Sequence, residues 1–157
     1  ILSGLVGSEM CIRDRNIKFI GLINHSLNKS VISSMLLDFA SFEGFEIDNI
    51  EYNFVDSKKM LSLNKEYLNH ATDTDIITFD YSQKKTISAE VYISKDMMLE
   101  NAEKNSQSIE NETIRLISHA LFHCIGYKDK SPTEKNIMRT KEDEFISAVS
   151  RETKLNV

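Results

Sequence analysis

Two cysteines, one proline, five glycines and no tryptophan leave this chain short of the residues that most often mark special architecture. Cys11 and Cys124 lie far apart in sequence and suggest no disulfide framework, a usage that fits a reducing cytoplasm. So little proline and glycine leaves no linker, and 157 residues then make one domain with a core of its own. No apolar run approaches the roughly 20 residues needed to cross a bilayer. Positive charge is scarce too. With 19 Lys and Arg against 24 Asp and Glu, the net charge is −5, so the chain as a whole is no electrostatic nucleic-acid binder. Any such contact has to be a local basic patch. There is no internal repeat, no P-loop and no dinucleotide fingerprint. What is present, 41% hydrophobic and 27% charged, is ordinary for a globular protein.

The chemistry concentrates in residues 114–129, IRLISHALFHCIGYKD. His119 and His123 are four apart, a spacing that puts both imidazoles on one helix face within reach of one ion. Gly126 follows His123 by three residues and Asp129 follows it by six. Glycine suits the left-handed position that ends a helix, so a turn there can bring the Asp129 carboxylate back towards the imidazoles. The pattern H-x3-H-x2-G-x2-D offers two nitrogens and one oxygen. Three protein ligands leave one position for water, as in catalytic zinc sites. With His119 at zero on a helical wheel, His123 falls at about 40° and Ile114, Ile117, Leu121, Cys124 and Ile125 at roughly 140° to 240°. Leu116, Ala120 and Phe122 make the rest nearly apolar, so the helix is expected to be buried with its histidines at the floor of a cleft. A lone histidine here would read as a core residue; the pair, with its glycine and acid, reads as a metal site. Cys124 reads as core.

Metzincin peptidases share the spacing, as H-E-x-x-H-x-x-G-x-x-H with Glu as general base. Ala120 stands at that base position, so peptidase activity is not expected. The stretch HALFHCIGYKD resembles instead the signature H-G-x-L-H-L-x-G-Y-D-H of the YbeY family, bacterial endoribonucleases of ribosomal RNA maturation. His119, His123, Gly126 and Tyr127 are kept in register. Ala120 replaces Gly, Lys128 replaces Asp, and Asp129 replaces the third His. Aspartate also binds zinc, but it hardens the site, so Fe(II) and Mn(II) stand beside zinc. Residues 63–80, LNKEYLNHATDTDIITFD, are similar to the family's second signature, L-N-x-x-Y-R followed by T-D-V-L-S-F. Leu63, Asn64, Tyr67, Thr74, Asp75 and Phe79 match it. The family's arginine, taken to assist RNA cleavage, falls on Leu68. Lys65, Arg115, Lys128 and Arg139 are the available substitutes, and each also reads as a solvated surface charge. His70 reads as a loop residue. Glu90, at the place of the family's G-D-I acid, reads as a partner of a metal-bound histidine or as a solvent-facing strand residue. Met138 and Glu142 echo the family's M-x-x-x-E close.

Residues 1–15, ILSGLVGSEMCIRDR, lack an initiator Met and resemble a translated sequencing-adapter artefact rather than a signal peptide; they are set aside with Cys11. Residues 18–23 then read as a buried strand, with His25 in the loop that follows. Residues 30–42 read as a helix capped by Ser30, with Val31, Ile32, Met35, Leu36, Phe39 and Phe42 as its apolar set. Residues 46–55 read as a second strand, and Asp56 or Ser57 caps the next helix. Residues 74–81 and 87–94 read as two strands joined as a hairpin or by a short loop. Residues 96–103 read as a helix with Met97, Met98 and Leu99 inward, and 105–111 as a polar break. The histidine helix runs from 112 to about 125. Ser131 caps the last helix, with Pro132 at its first position and Glu134 closing a capping box. Its inward residues are Ile137, Met138, Phe145, Ile146 and Val149. Residues 16–150 form one hydrolase domain and 151–157 a polar tail. The class is α+β, with about four strands and about five helices. The resemblance implies a small mixed sheet with the metal helix buried centrally.

The resemblance also implies a function: a zinc-dependent cytoplasmic endoribonuclease in small-subunit ribosomal RNA maturation and ribosome quality control. Its partners would be ribosomal RNA and the small ribosomal subunit, with no membrane and no nucleotide cofactor. One zinc ion is expected on His119, His123 and Asp129, with water rather than a side chain as nucleophile. Arg115, Lys128 and Lys130 are the candidates to hold RNA. Two rivals stand beside this reading. One is a non-catalytic assembly factor that keeps the metal for folding, left open by Leu68. The other is the metallopeptidase that Ala120 argues against.

Overall fold

The structure, a computed structural model, describes residues 16–22, 26–68 and 74–155, with the side chain of Leu68 left out. The readings of residues 1–15, of His25 and His70, and of any role for the Leu68 side chain lie outside the described residues. Among them, four strands and five helices follow in the order β1 (Ile17–Ile20), α1 (Lys29–Phe42), β2 (Glu46–Val55), α2 (Ser57–Leu68), β3 (Ile76–Asp80), β4 (Thr86–Ser94), α3 (Lys95–Lys104), α4 (Ile109–Ile125) and α5 (Pro132–Leu155). This is the expected α+β class with a mixed sheet. No helix among the described residues is long and apolar enough to cross a membrane.

The sheet order is β1-β2-β4-β3, with β1 and β4 parallel to β2 and β3 antiparallel to β4. Alternation along the strands assigns the two faces. Ile87, Ala89, Val91 and Ile93 of β4 are buried in the main core, together with residues of α1, α4 and α5. Tyr92 points the other way and joins Ile77 and Phe79 of β3 in a smaller cluster with Met60 and Leu63 of α2. So α4 lies on one face and α2 on the other, and β3 is an edge strand. Its residues Ile76, Thr78 and Asp80, being out of phase with Ile77 and Phe79, face the α4 side.

Helix α4 packs against α1, α3, α5, β3 and β4, and ten of its 17 residues are buried. It starts at Ile109, three residues before the expected Glu112. Ser108 accepts from the Asn111 amide, and Glu110 and Glu112 sit in the first turn, where carboxylates favour the positive end of a helix. The polar break is therefore mostly a helix start. Helix α1 likewise starts one residue before Ser30 and is capped by Asn28, whose side chain takes the Val31 amide at 3.1 Å. The capping box of α5 forms as expected: Ser131 and Glu134 each accept the other's amide, at 3.1 and 2.9 Å. But α5 continues to Leu155 and absorbs most of the expected tail, because Glu152, Lys154 and Leu155 are good helix formers however polar the segment.

Three apolar assignments fail on geometry. Leu99 is 46% exposed, since the three neighbours Met97, Met98 and Leu99, spaced by about 100°, cannot all face inward, and Ile137 is 46% exposed beside the buried Met138. Phe42, in the last turn of α1, is 86% exposed. Ile146, partly buried, packs against the main core as expected.

Candidate metal centre

The last turn of α4 builds the site. Gly126 has φ 123°, outside the range most side chains accept, and its amide bonds back to Phe122 and His123. The Tyr127 amide reaches the Phe122 carbonyl at 2.9 Å, closing a Schellman-type cap. That reversal swings Asp129 over the helix. His119 Nε2 and His123 Nε2 lie 3.0 Å apart, and each is 3.3 Å from Asp129 Oδ2. The three residues named from the sequence are thus brought together and form a group that can hold a metal ion, their ligand atoms all within 4.8 Å. The spacing fits a tetrahedral ion. Bonds of about 2.0 to 2.2 Å require ligand-to-ligand edges of about 3.3 to 3.6 Å, close to those observed.

The group opens into a cleft of about 460 Å³ lined also by Thr74, Asp75, Ile76, Thr78 and Asp80. These are the residues of β3, and of the segment before it, that face α4. Side-chain exposure rises from 17% at His119 to 31% at His123 and 40% at Asp129, so the ligands step from floor to rim.

Behind the floor stands Glu142 of α5, 5% exposed. Its Oε2 lies 2.6 Å from His119 Nδ1. Burial by itself disfavours charge on His119. The Glu142 hydrogen bond and charge outweigh it, with the Asp129 and Asp75 charges beyond, and the imidazole pKa stands raised. The sequence showed Glu142 only as the end of a motif; nothing local tied it to a residue 23 positions away. Asp75, Thr78 and Asp80 were equally silent as cleft residues, since only the strand pairing decides which face they take.

Arg115 is not placed as a free phosphate holder. Its amino groups go to Glu142 Oε1 at 2.9 Å and Asp143 Oδ1 at 2.7 Å, and its Nε is buried without an acceptor among the described residues. Residue 115 sits one turn before His119 on the same face, where the carboxylates of α5 meet it first. Lys128 and Lys130 are exposed on either side of Asp129. Glu90 shares its face with Tyr92, whose hydroxyl donates to it at 3.1 Å, so it lies across the sheet from the histidines. Cys124 is buried, and burial, helped by the Asp80 charge, pushes its thiol up to about 12. It is an inert core residue.

Comparison with known proteins agrees with this architecture. The family described as Endoribonuclease YbeY matches residues 16–150. A Flavobacterium psychrophilum protein named Endoribonuclease YbeY is 42% identical over 115 residues, 73% of this chain and 79% of that protein. One of the same name from Phocaeicola vulgatus is 35% identical over 124 residues, 79% of this chain and 90% of its own length. A solution structure of a Thermotoga maritima protein covers 89% of this chain and 93% of its own, with a TM-score of 0.63 at 19% identity, and speaks for the fold alone. On sequence match and fold together, the chain belongs to the YbeY endoribonuclease family.

Proposed function

We propose that this chain is a metal-dependent endoribonuclease that hydrolyses phosphodiester bonds of ribosomal RNA, in the cytoplasm and at the small ribosomal subunit, during its maturation and quality control. The observation that supports it is the convergence of two imidazole nitrogens and one carboxylate oxygen on a single point in a cleft, at tetrahedral spacing. Zinc is the first choice of ion, with Mn(II) or Fe(II) favoured next by the carboxylate. A bound ion supplies Lewis acidity, acidifying water and polarising a phosphoryl oxygen.

The chain's own residues frame that chemistry. His119 and His123 each offer an Nε2, and Asp129 completes the set from the rim. Among the described residues the cleft lining carries Asp75, Asp80 and Asp129 but no Lys or Arg. Such a lining repels phosphate until a cation is in place, so metal binding and RNA binding are coupled. Lys128 and Lys130 are the cations at hand beside Asp129 to hold the RNA backbone. A thiol as hard to ionise as Cys124 supplies no nucleophile, and water is the expected attacking group.

The acidic lining, with Leu68 where the family has arginine, favours one second reading: a ribosome-assembly factor that keeps the metal for its fold. Incubating purified protein of known metal content with a ribosomal RNA precursor transcript separates the two. The hydrolase reading expects one zinc per chain and RNA cleavage, both lost in His123→Ala and on chelation. Intact RNA with zinc-loaded or manganese-loaded wild type, alongside binding to small-subunit particles, would establish the assembly factor instead.

A further inference from the structure

We propose that Glu142, clamped by Arg115, is a positioning residue that decides which nitrogen of His119 faces the metal. This rests on the metal reading of His119, His123 and Asp129 given above. Glu142 spends both oxygens on α4. Oε1 takes Arg115 at 2.9 Å and Oε2 takes His119 Nδ1 at 2.6 Å. Arg115 and His119 are four residues apart on one face of α4, so a single carboxylate from α5 is held between them. The second prong of the guanidinium, on Asp143 at 2.7 Å, fixes the fork to two successive residues of α5.

An ionised carboxylate can only accept. The Arg115 guanidinium, which has only hydrogens to offer, takes Oε1, and the other oxygen, Oε2, is turned to the His119 ring as an acceptor. His119 Nδ1 therefore carries the hydrogen, and the lone pair stands on Nε2, the nitrogen that meets His123 and Asp129. An imidazole free in water prefers the opposite arrangement, with hydrogen on Nε2. Without Glu142 the ring would have to surrender that preference, and fix its own rotation, each time it took up an ion. Outer partners of this kind commonly hold a factor of about 10 to 100 in metal affinity. Arg115 thus acts through two residues: it holds Glu142, and Glu142 holds His119.

Two measurements test this. Imidazole nitrogen–proton correlation spectra of the metal-free protein read the tautomer of His119 directly. Competition with a chromophoric chelator reads zinc affinity. Where the pH leaves the ring neutral, wild type should show His119 with hydrogen on Nδ1. Glu142→Leu should show a shift towards hydrogen on Nε2 and zinc bound about 10- to 100-fold more weakly. Glu142→Gln keeps the shape and one acceptor oxygen, so it should fold as wild type does and lose less. Arg115→Met should fall between Gln and wild type. A purely structural Glu142 would lower the melting temperature of the metal-free protein and leave both readouts alone. Unchanged tautomer and affinity in the Gln and Leu variants, or in the Gln variant if Leu does not fold, overturns the proposal. Wild type that binds no zinc overturns the metal reading itself, and the tautomer spectra then still decide what Glu142 does to the ring.

Discussion

The hydroxyl of Tyr52 donates to the carbonyl oxygen of Ile117 at 2.9 Å, buried, across 65 residues of sequence. Tyr52 sits in β2, flanked by β1 and β4, and Ile117 precedes His119 by two positions on α4. The contact ties the histidine helix to the middle of the sheet. The ring also stacks on Phe19, with centroids 5.4 Å apart.

Tyr52→Phe keeps that stacking and removes only the hydroxyl. The expected cost is about 1 kcal/mol, the net worth of one buried hydrogen bond. A urea titration reads it as a lower midpoint with an unchanged slope. A variant as stable as wild type would mean that the tie adds nothing.

Asp129 is the least buried of the three candidate ligands. Asp129→Ala should weaken zinc by more than the roughly 10- to 100-fold typical of losing an outer partner, because a ligand itself is gone. Asp129→His should keep or tighten zinc, since an imidazole is as good a zinc ligand as a carboxylate and the resemblance puts one at this turn. Full zinc occupancy of the Ala variant by elemental analysis, in the presence of a competing chelator, would remove Asp129 from the ligand set.

The raised pKa of His119 sets two opposite pH responses. In metal-free protein, protonated His119 is stabilised by Glu142 and the neighbouring aspartates. That contribution is fully present below about pH 6.5 and is lost as pH rises through the raised folded value. Zinc needs the unprotonated ring, so zinc affinity should fall as pH drops through the same range. Melting curves of chelated wild type against His119→Gln should therefore differ most at the acid end and converge as pH rises. A gap that does not narrow with pH would contradict this sign.

No described residue lining the cleft is a Lys or Arg, and the sequence resemblance puts the family's arginine at the position of Leu68. Leu68→Arg should raise RNA cleavage by about tenfold, the effect of one charge-assisted hydrogen bond of about 1.5 kcal/mol gained in the transition state. Single-turnover cleavage at fixed salt is the measurement. An unchanged or lower rate would show that the position is idle in this protein.

What could be read from residues alone was whatever neighbours in the chain determine. The His119 and His123 spacing, the Gly126 reversal and the return of Asp129 all fall within 11 consecutive residues, so helix geometry and one positive φ were enough to foresee their meeting. The Ser131 and Glu134 box was legible for the same reason. Composition misled where helix propensity and polarity part company, as at residues 151–155. The pairing of His119 with Glu142, the withdrawal of Arg115 from the surface and the placing of Glu90 across the sheet from the histidines depended on how α5 lies along α4 and on which face each strand residue takes. Those are contacts between segments distant in sequence, set by how the whole core packs, and no local pattern encodes them.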